Sequence, residues 1–506
     1  MNKYIIAHDL GTSGNKATLF TSEGQMLKSC IEEYPVRYFN DTWAEQDAED
    51  WWNAVCSATK HLLNGIDPRE VVAVSFSGQM MGCICVDENG DPLRKAIIWA
   101  DMRAEKQEKE LASKIAPETL YRITGHTLSR SYSLEKLMWV RDNEPEIYEK
   151  TFKMLHAKDF IVQRLTGEFV TDMSDASGTN AYDLRGCCWS EEIIRAAGVR
   201  RELFPDIRPS TFVAGTIDER GHEATGLAVG TKVVLGGGDG SCASVGAGSI
   251  SEGLTYNCLG SSSWISTVAK EPYCDPQMRT VTWAHVIPGL TIPSGTMQTA
   301  GSAFEWGISH FCSKEIAEAK EKGVSPYAMI NEAIAASKPG ANGIIFLPYL
   351  LGERCPRWNS NARAVMTGLK MEHTTGDLMR SIVEGVAMNL NVILGILKNA
   401  VPINEMYLVG GLAKGEIQQQ IFADVYGMDV IRMEHLGEAT SIGAAVIAGV
   451  GAGVLQDFNS VELFNRKGER RPVNPDTHSF YVKQAEIFED CYRSQLDIYE
   501  KLAAVQ

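Results

Sequence analysis

Basic residues are in the minority. Lysine and arginine number 48 against 64 aspartates and glutamates, a net charge of −16 over 506 residues. A chain this acidic repels polyanions at long range, which excludes nucleic acid and anionic membrane as general partners while leaving room for one small basic pocket. Cysteine is sparse at 12 residues, and no CxxC pair occurs. Cys83 and Cys85 lie two apart, Cys187 and Cys188 are adjacent, and no second pair or histidine cluster completes a zinc set. The opening MNKYIIAHDLG meets His8 and Asp9 before any useful apolar run, so no signal peptide is expected; together these features predict a cytoplasmic chain with reduced thiols. A run rich in Leu and Phe is missing too. Residues 439–456 have the length of a membrane span but are mostly Ala and Gly, which predicts a buried helix packed closely on a neighbour. With 18 prolines, 44% hydrophobic and 22% charged residues, nothing points to a disordered or fibrous chain.

What is present is length and alternation. At roughly 150 residues per domain the chain holds about three units or two large lobes. KYIIAHDL reads as a strand, GTSGN as a turn, and KATLF and MLKSCIEEYPV as further strands. A helix follows with Asp47 as N-cap, then the buried strand VVAVSFSG and a hairpin with Asn89-Gly90 at its turn. The Glu- and Lys-rich residues 102–116 read as a solvated helix. Strands alternating with helices mean α/β. A strand, a Gly/Ser/Thr turn and a second strand occur near residue 10 and again near residue 260, the pattern of two similar lobes. We place their boundary in GSISEG, giving lobes of residues 1–250 and 251–506.

Four glycine turns sit at strand ends. In DLGTSGNK, glycines permit a tight turn, Thr12 and Ser13 add hydroxyls, and Lys16 adds charge. Asp9 at the strand end has the oxygen chemistry for Mg²⁺. This is not a GxxxxGK[ST] loop, because the lysine lies beyond the turn and no helix follows; a plain hairpin turn is the competing reading. In GGGDG, Asp239 follows three glycines. It either accepts a proton from an attacking hydroxyl or simply caps a helix starting near Ser241. Gly260 and Ser261 begin a third turn, and Gly410, Gly411 and Lys414 mark a strand–glycine–helix junction where a base or ribose can lie. Together the four suggest a nucleotide.

These segments, with WAEQDAEDWW, SFSGQMMG, IIWADMRA, TGEFVTDMSDASGT, FLPYLLGERCPRWNSNARAVMTGL and DLMRSIVEGVAMNL, make the chain resemble the FGGY carbohydrate kinases from about residue 3 to 500, and within them the xylulokinase branch. The resemblance implies an actin-like ATPase fold with ribonuclease-H-like lobes around a central cleft, and a sugar and ATP as partners, with a homodimer allowed. It implies Asp239 as catalytic base, Asp9, Thr12, Ser13 and Lys16 at the phosphates and Mg²⁺, and Gly260, Ser261 and Gly301 at the second phosphate turn. Gly410, Gly411 and Lys414 would hold adenosine. Gln79, Met80, Met81, Trp99, Asp101 and Arg103 would hold the sugar. Xylulokinases commonly read Gln-Met-His-Gly where this chain reads Gln79-Met80-Met81-Gly82. Methionine cannot donate the histidine's hydrogen bond, a loss of about 1–3 kcal/mol if unreplaced. The resemblance makes D-xylulose the first expectation, and Met81 keeps another ketose, a pentitol or a sugar acid as alternatives. Glycerol kinases fit less well, since their Arg-Glu pair is missing from this loop. A non-catalytic nucleotide sensor on the same fold would need neither Asp239 nor the sugar loop.

Overall fold

The computed structural model describes residues 3–505. Two large mixed sheets dominate. In the first, strands run in the order Val213–Thr216, Lys232–Val234, Val71–Gly78, Tyr4–Leu10, Gly14–Thr21 and Met26–Glu33, and Gly237–Gly238 adds a short extension beside Val71–Gly78. In the second the order is Lys467–Arg471, Asp429–Met433, Glu405–Val409, Thr255–Leu259, Ser263–Thr267, Thr291–Met297 and Val281–Ala284. The plan is the same in both. An antiparallel meander, Tyr4–Leu10 to Met26–Glu33 or Thr255–Leu259 to Thr291–Met297, is followed by parallel strands on its inner edge.

The central strands are buried on both faces and correspondingly apolar, as Tyr4–Leu10 shows. Helix Ala48–Leu63 covers one face of the first sheet with Trp51, Ala54, Val55, Ala58 and Leu62. Asp47 caps it, accepting a hydrogen bond from Glu49 N. The hairpin at Asn89-Gly90 is shorter than its sequence suggests: Ile84–Val86 takes Lys153–Leu155 as its strand partner.

Helices Asp239–Gly246 and Ala439–Ala452 lie between the sheets. Cys242 and Val245 pack with Ile5, Ala7 and Ala73 of the first sheet, whereas Ala243 and Ala247 pack with Tyr256, Tyr407 and Ile431 of the second. The two helices touch backbone to backbone. A Cβ on Gly246 would fall 1.8 Å from Ala439 O, and one on Gly443 2.0 Å from Cys242 O. This contact is why the 439–456 run is so rich in Gly and Ala. Helix Thr375–Leu397, behind the second sheet, is long and apolar enough to cross a membrane, yet 83% of its apolar window is buried inside the protein. Paired sheets of one topology around two central helices make the α/β, actin-like ATPase architecture.

Candidate active site

The turn after Tyr4–Leu10 directs its backbone in one sense. Its carbonyls are occupied: Gly11 O accepts from Tyr34 Oη at 2.6 Å, Thr12 O from Gln46 Nε2 at 2.8 Å, and Ser13 O from Tyr34 N at 3.2 Å. The N–H groups of Thr12 and Ser13 have no acceptor among the described residues. That is an anion nest. The turn after Thr255–Leu259 repeats it. Gly260 O accepts from Gly301 N at 2.9 Å, and Ser261 O from Ala300 N at 2.8 Å and Ser302 Oγ at 2.8 Å, leaving the N–H groups of Ser261 and Ser262 without a protein acceptor among the described residues.

Asp9 ends the first strand, and its carboxylate accepts from Thr440 Oγ1 at 2.5 Å. Burial raises its pKa, opposed by Thr440, Ser77 and Lys16. Lys16 crosses to the opposite half, where it pairs with Glu438 at 3.1 Å and reaches Gly437 O at 3.2 Å. Asp239 is the first residue of its helix, not the cap before it; Gly238 holds that place. Its side chain keeps solvent-accessible surface while lying deep among protein atoms, and that burial, then the Asp9 charge, raises its pKa to about 7. The glycines before it are explained by close neighbours. Gly236 has φ +78 with Phe76 O where a Cβ would sit, Gly237 faces Val286 and Ser174, and a Cβ on Gly238 would meet Met80 Sδ at 2.5 Å.

The sugar loop lies alongside. Gln79 N donates to Leu10 O at 2.9 Å and its Nε2 to Gln46 Oε1 at 2.9 Å, while its Oε1 is buried without a donor. Trp99 is 37% exposed, so it is no core tryptophan, and its Nε1 donates to Thr12 Oγ1 at 2.9 Å. Met80 is buried against Gly238 and Gly178, leaving only backbone for a ligand. Met81 adopts φ +62, and its carbonyl accepts from the buried Lys136 Nζ at 2.8 Å. Asp101 and Arg103 are bound to each other. Both are buried, Arg103 Nε and Nη2 bind Asp101 at 2.7–3.0 Å, Asp101 also takes Ala44 N, and Arg103 Nη1 reaches Glu45 at 2.9 Å. The Arg103 guanidinium also lies over the Trp43 ring at 3.9 Å. These bonds brace the segment that carries Trp99.

A cavity of about 750 Å³ opens beside the second turn. Gly260, Ser261, Gly301, Gly411 and Lys414 line it, five of the residues that sequence assigned to nucleotide. Gly410 stands just behind, its φ of +95 bringing it against the Leu259 backbone. Phe304, Tyr327, Asn331 and Gln418 complete the walls. No turn signal marks these four; they come from helices Gly301–Phe311, Pro326–Ala336 and Glu416–Tyr426, brought together by Gln418 Nε2 donating to Asn331 Oδ1 at 2.7 Å.

The FGGY family of carbohydrate kinases matches this chain with its N-terminal domain over residues 4–246 and its C-terminal domain over residues 255–452. The chain belongs to the FGGY carbohydrate kinases. It is 30% identical over 460 residues to a xylulose kinase of Staphylococcus xylosus, covering 90% of this chain and 93% of that one. It is 28% identical over 508 residues to a gluconokinase of Bacillus subtilis, covering 100% and 99%. The solved xylulose kinase of Lactobacillus acidophilus superposes with a TM-score of 0.90 at 26% identity, over 99% of this chain and 100% of the other.

An FGGY kinase takes its phosphate from ATP. The residues at the junction of the halves suit a hard divalent cation: Asp9 and Asp239 present two carboxylates, the Asp9 charge raises the Asp239 pKa, and Lys16 is engaged by Glu438. A second acidic cluster does not. His156, Asp159 and Asp175 have ligand atoms within 4.8 Å of one another, but Lys158 Nζ already sits 2.6 Å from Asp159, 3.1 Å from Asp172 and 3.2 Å from Asp175. Burial opposes that ammonium, yet the three carboxylates outweigh it and hold its pKa well above the usual lysine range. The cation in this FGGY kinase's buried cluster is therefore the lysine itself.

Proposed function

We propose that this FGGY kinase transfers the γ-phosphate of ATP to the terminal hydroxyl of D-xylulose, giving D-xylulose 5-phosphate, with Asp239 as base. The observation that carries the reading is Asp239 itself, a solvent-reachable carboxylate at the start of a helix, beside the sugar loop, with its pKa at about 7. A base poised near the working pH contributes about 10²–10⁴-fold. Asp239 takes the hydroxyl proton as the sugar oxygen bonds to phosphorus and the bond to the ADP oxygen breaks. The free N–H groups of Thr12, Ser13, Ser261 and Ser262 donate to the phosphate oxygens, where charge builds up. Gln79 Oε1 accepts from a sugar hydroxyl, and the exposed face of Trp99 packs on the sugar's C–H side. Asp9 would hold Mg²⁺, which would neutralise phosphate charge. Lys414, Gly410, Gly411, Asn331 and Gln418 form the adenosine end.

Met81 favours a second reading, a kinase for a sugar acid such as gluconate, because it removes the donor that xylulokinases place on their sugar. The gluconokinase relative matches the whole chain. ADP release with Mg-ATP against D-xylulose, L-xylulose, D-ribulose, L-ribulose, xylitol, ribitol, glycerol and gluconate separates the two. Turnover with D-xylulose that disappears in Asp239→Asn supports the first. Turnover with gluconate alone moves the substrate and keeps the mechanism. Wild-type turnover in Asp239→Asn overturns the base assignment.

A further inference from the structure

Below the loop that carries Asp239 runs a chain of buried polar groups. Its centre is the short helix Met173–Ser177. Ser174 Oγ accepts from Gly238 N at 2.9 Å, and it donates to Asp172 Oδ2 at 2.5 Å. The direction is forced. A backbone N–H only donates, so Gly238 takes a lone pair of the Ser174 oxygen and the single hydroxyl proton of Ser174 goes to Asp172. Asp172 also accepts from Ser210 Oγ at 2.7 Å and from Lys158 Nζ at 3.1 Å. With the N–H groups of Ser174 and Asp175, at 3.0 and 3.3 Å, five donors hold it in place.

The same helix reaches the far side of Asp239. Ser177 Oγ donates to Ser174 O at 2.6 Å and accepts from Ala284 N at 3.2 Å. Ala284 O in turn accepts from Ser241 Oγ at 3.0 Å. The residue before Asp239 and the residue two beyond it are thus both tied to one five-residue helix, the first directly and the second through Ala284. Asp172, Ser174, Ser177 and Ser241 are all at most 1% exposed, so water does not compete for these bonds.

The chain continues to the sugar loop. Lys158 also pairs with Asp175, Asp175 Oδ1 meets His156 Nδ1 at 2.8 Å, and His156 Nε2 meets Ser133 Oγ at 2.8 Å. Ser133 opens the helix whose Lys136 holds the carbonyl of Met81. The Ser133–His156–Asp175 order is that of a hydrolytic triad, but all three are sealed from solvent, so they serve as a brace.

We propose that Ser174 is the positioning residue for Asp239: helix Met173–Ser177 grips the backbone on both sides of the base and fixes its carboxylate against the sugar hydroxyl. The proposal rests on Asp239 being the base. A kinase that aligns a hydroxyl with a phosphorus atom loses rate when its base moves by an ångström, while binding of both substrates survives.

The test is Ser174→Ala in the full chain, alone and combined with Asp239→Asn, assayed by ADP release with D-xylulose or gluconate, whichever the wild type turns over. Ser174→Ala is expected to lower kcat about ten- to a hundredfold, with KM for ATP and sugar within twofold of wild type. In the Asp239→Asn background it should cost nothing further, because a residue acting through the base has no effect once the base is gone. A wild-type kcat in Ser174→Ala overturns the inference, as does an equal loss in both backgrounds, which marks a merely structural role. If Ser174→Ala does not fold, Ser241→Ala, which cuts the other tie, decides. A three- to tenfold loss confined to kcat supports the inference and a wild-type kcat overturns it. Loss in Asp239→Asn with none in the serine variants sinks the positioning role alone; full activity in Asp239→Asn sinks the base and the positioning role together.

Discussion

The two anion nests occupy the same place in the two sheets, each between the first and second strands of its meander, and they share a backbone design. Carbonyls are tied back into the protein and N–H groups are left forward. Their side chains differ. In the first sheet Asp9 pairs across the strands with Lys16; at the same register in the second stand Cys258 and Trp264. One nest thus carries a carboxyl and an amine, the amine paired with Glu438, the other a thiol, whose pKa burial raises to about 12, and an indole. The repeated fold supplies a turn with unpaired N–H groups twice, among the described residues, while the carboxyl and amine stand on one of the two strand pairs only. An ionised group at the nucleotide turn would have had to be desolvated beside the cavity, at a cost of several kcal/mol unless paired.

Breaking the charged side should have the largest effect. Asp239→Asn is expected to lower kcat about 10²–10⁴-fold in the ADP-release assay. Its raised pKa fixes the sign of the pH dependence. The base is protonated and idle below about 7, so kcat/KM for the sugar should rise through that pH and flatten above it. An acid limb near 4 instead would show that the burial and Asp9 charge described here do not act on the reacting base. Next, Asp9→Asn should cost about 10² in kcat whereas Cys258→Ser, its counterpart, should stay within about twofold; equal losses would erase the distinction between the nests. A smaller effect is expected at the neutral turn. A Cβ on Gly301 would lie 2.6 Å from Gly260 O, while one on Gly11 would lie 3.3 Å from Gly14 O. Gly301→Ala should therefore raise KM for ATP about tenfold, from about 1–3 kcal/mol of overpacking, with KM for sugar unchanged, and Gly11→Ala should do less. Smallest is Glu438→Gln, which frees Lys16. A partly exposed pair is worth about 0–1 kcal/mol, so a fall of about two- to threefold in KM for ATP is the expected reading.

The turns were legible because each announces itself locally: a glycine needed for a positive φ or a close approach, flanked by hydroxyls and a strand. Gly410 and Gly236 have the positive φ and the close approach, each just after a strand, without the hydroxyls. The repeat of strand, turn and strand near residues 10 and 260 likewise foretold two sheets of one plan. For Asp101 and Arg103, sequence shows that the groups are polar but not that they bind each other and Glu45. Asn331 and Gln418 were missed because two helices far apart in sequence bring them together. The buried chain through Lys158 and Asp172 was invisible for a related reason. A lysine reads as a surface residue until its three carboxylates are seen around it.

The helix Ala439–Ala452 has a consequence for how the protein is made. It packs on the first sheet through Ile442, Ala445 and Val446, against strands such as Tyr4–Leu10 and Val71–Gly78. Synthesis runs from the N-terminus, so those strands leave the ribosome hundreds of residues before the helix that covers them. For that interval an apolar sheet face stands bare, a surface on which nascent chains aggregate or recruit chaperones. A chain cut near residue 250 would carry that bare face permanently.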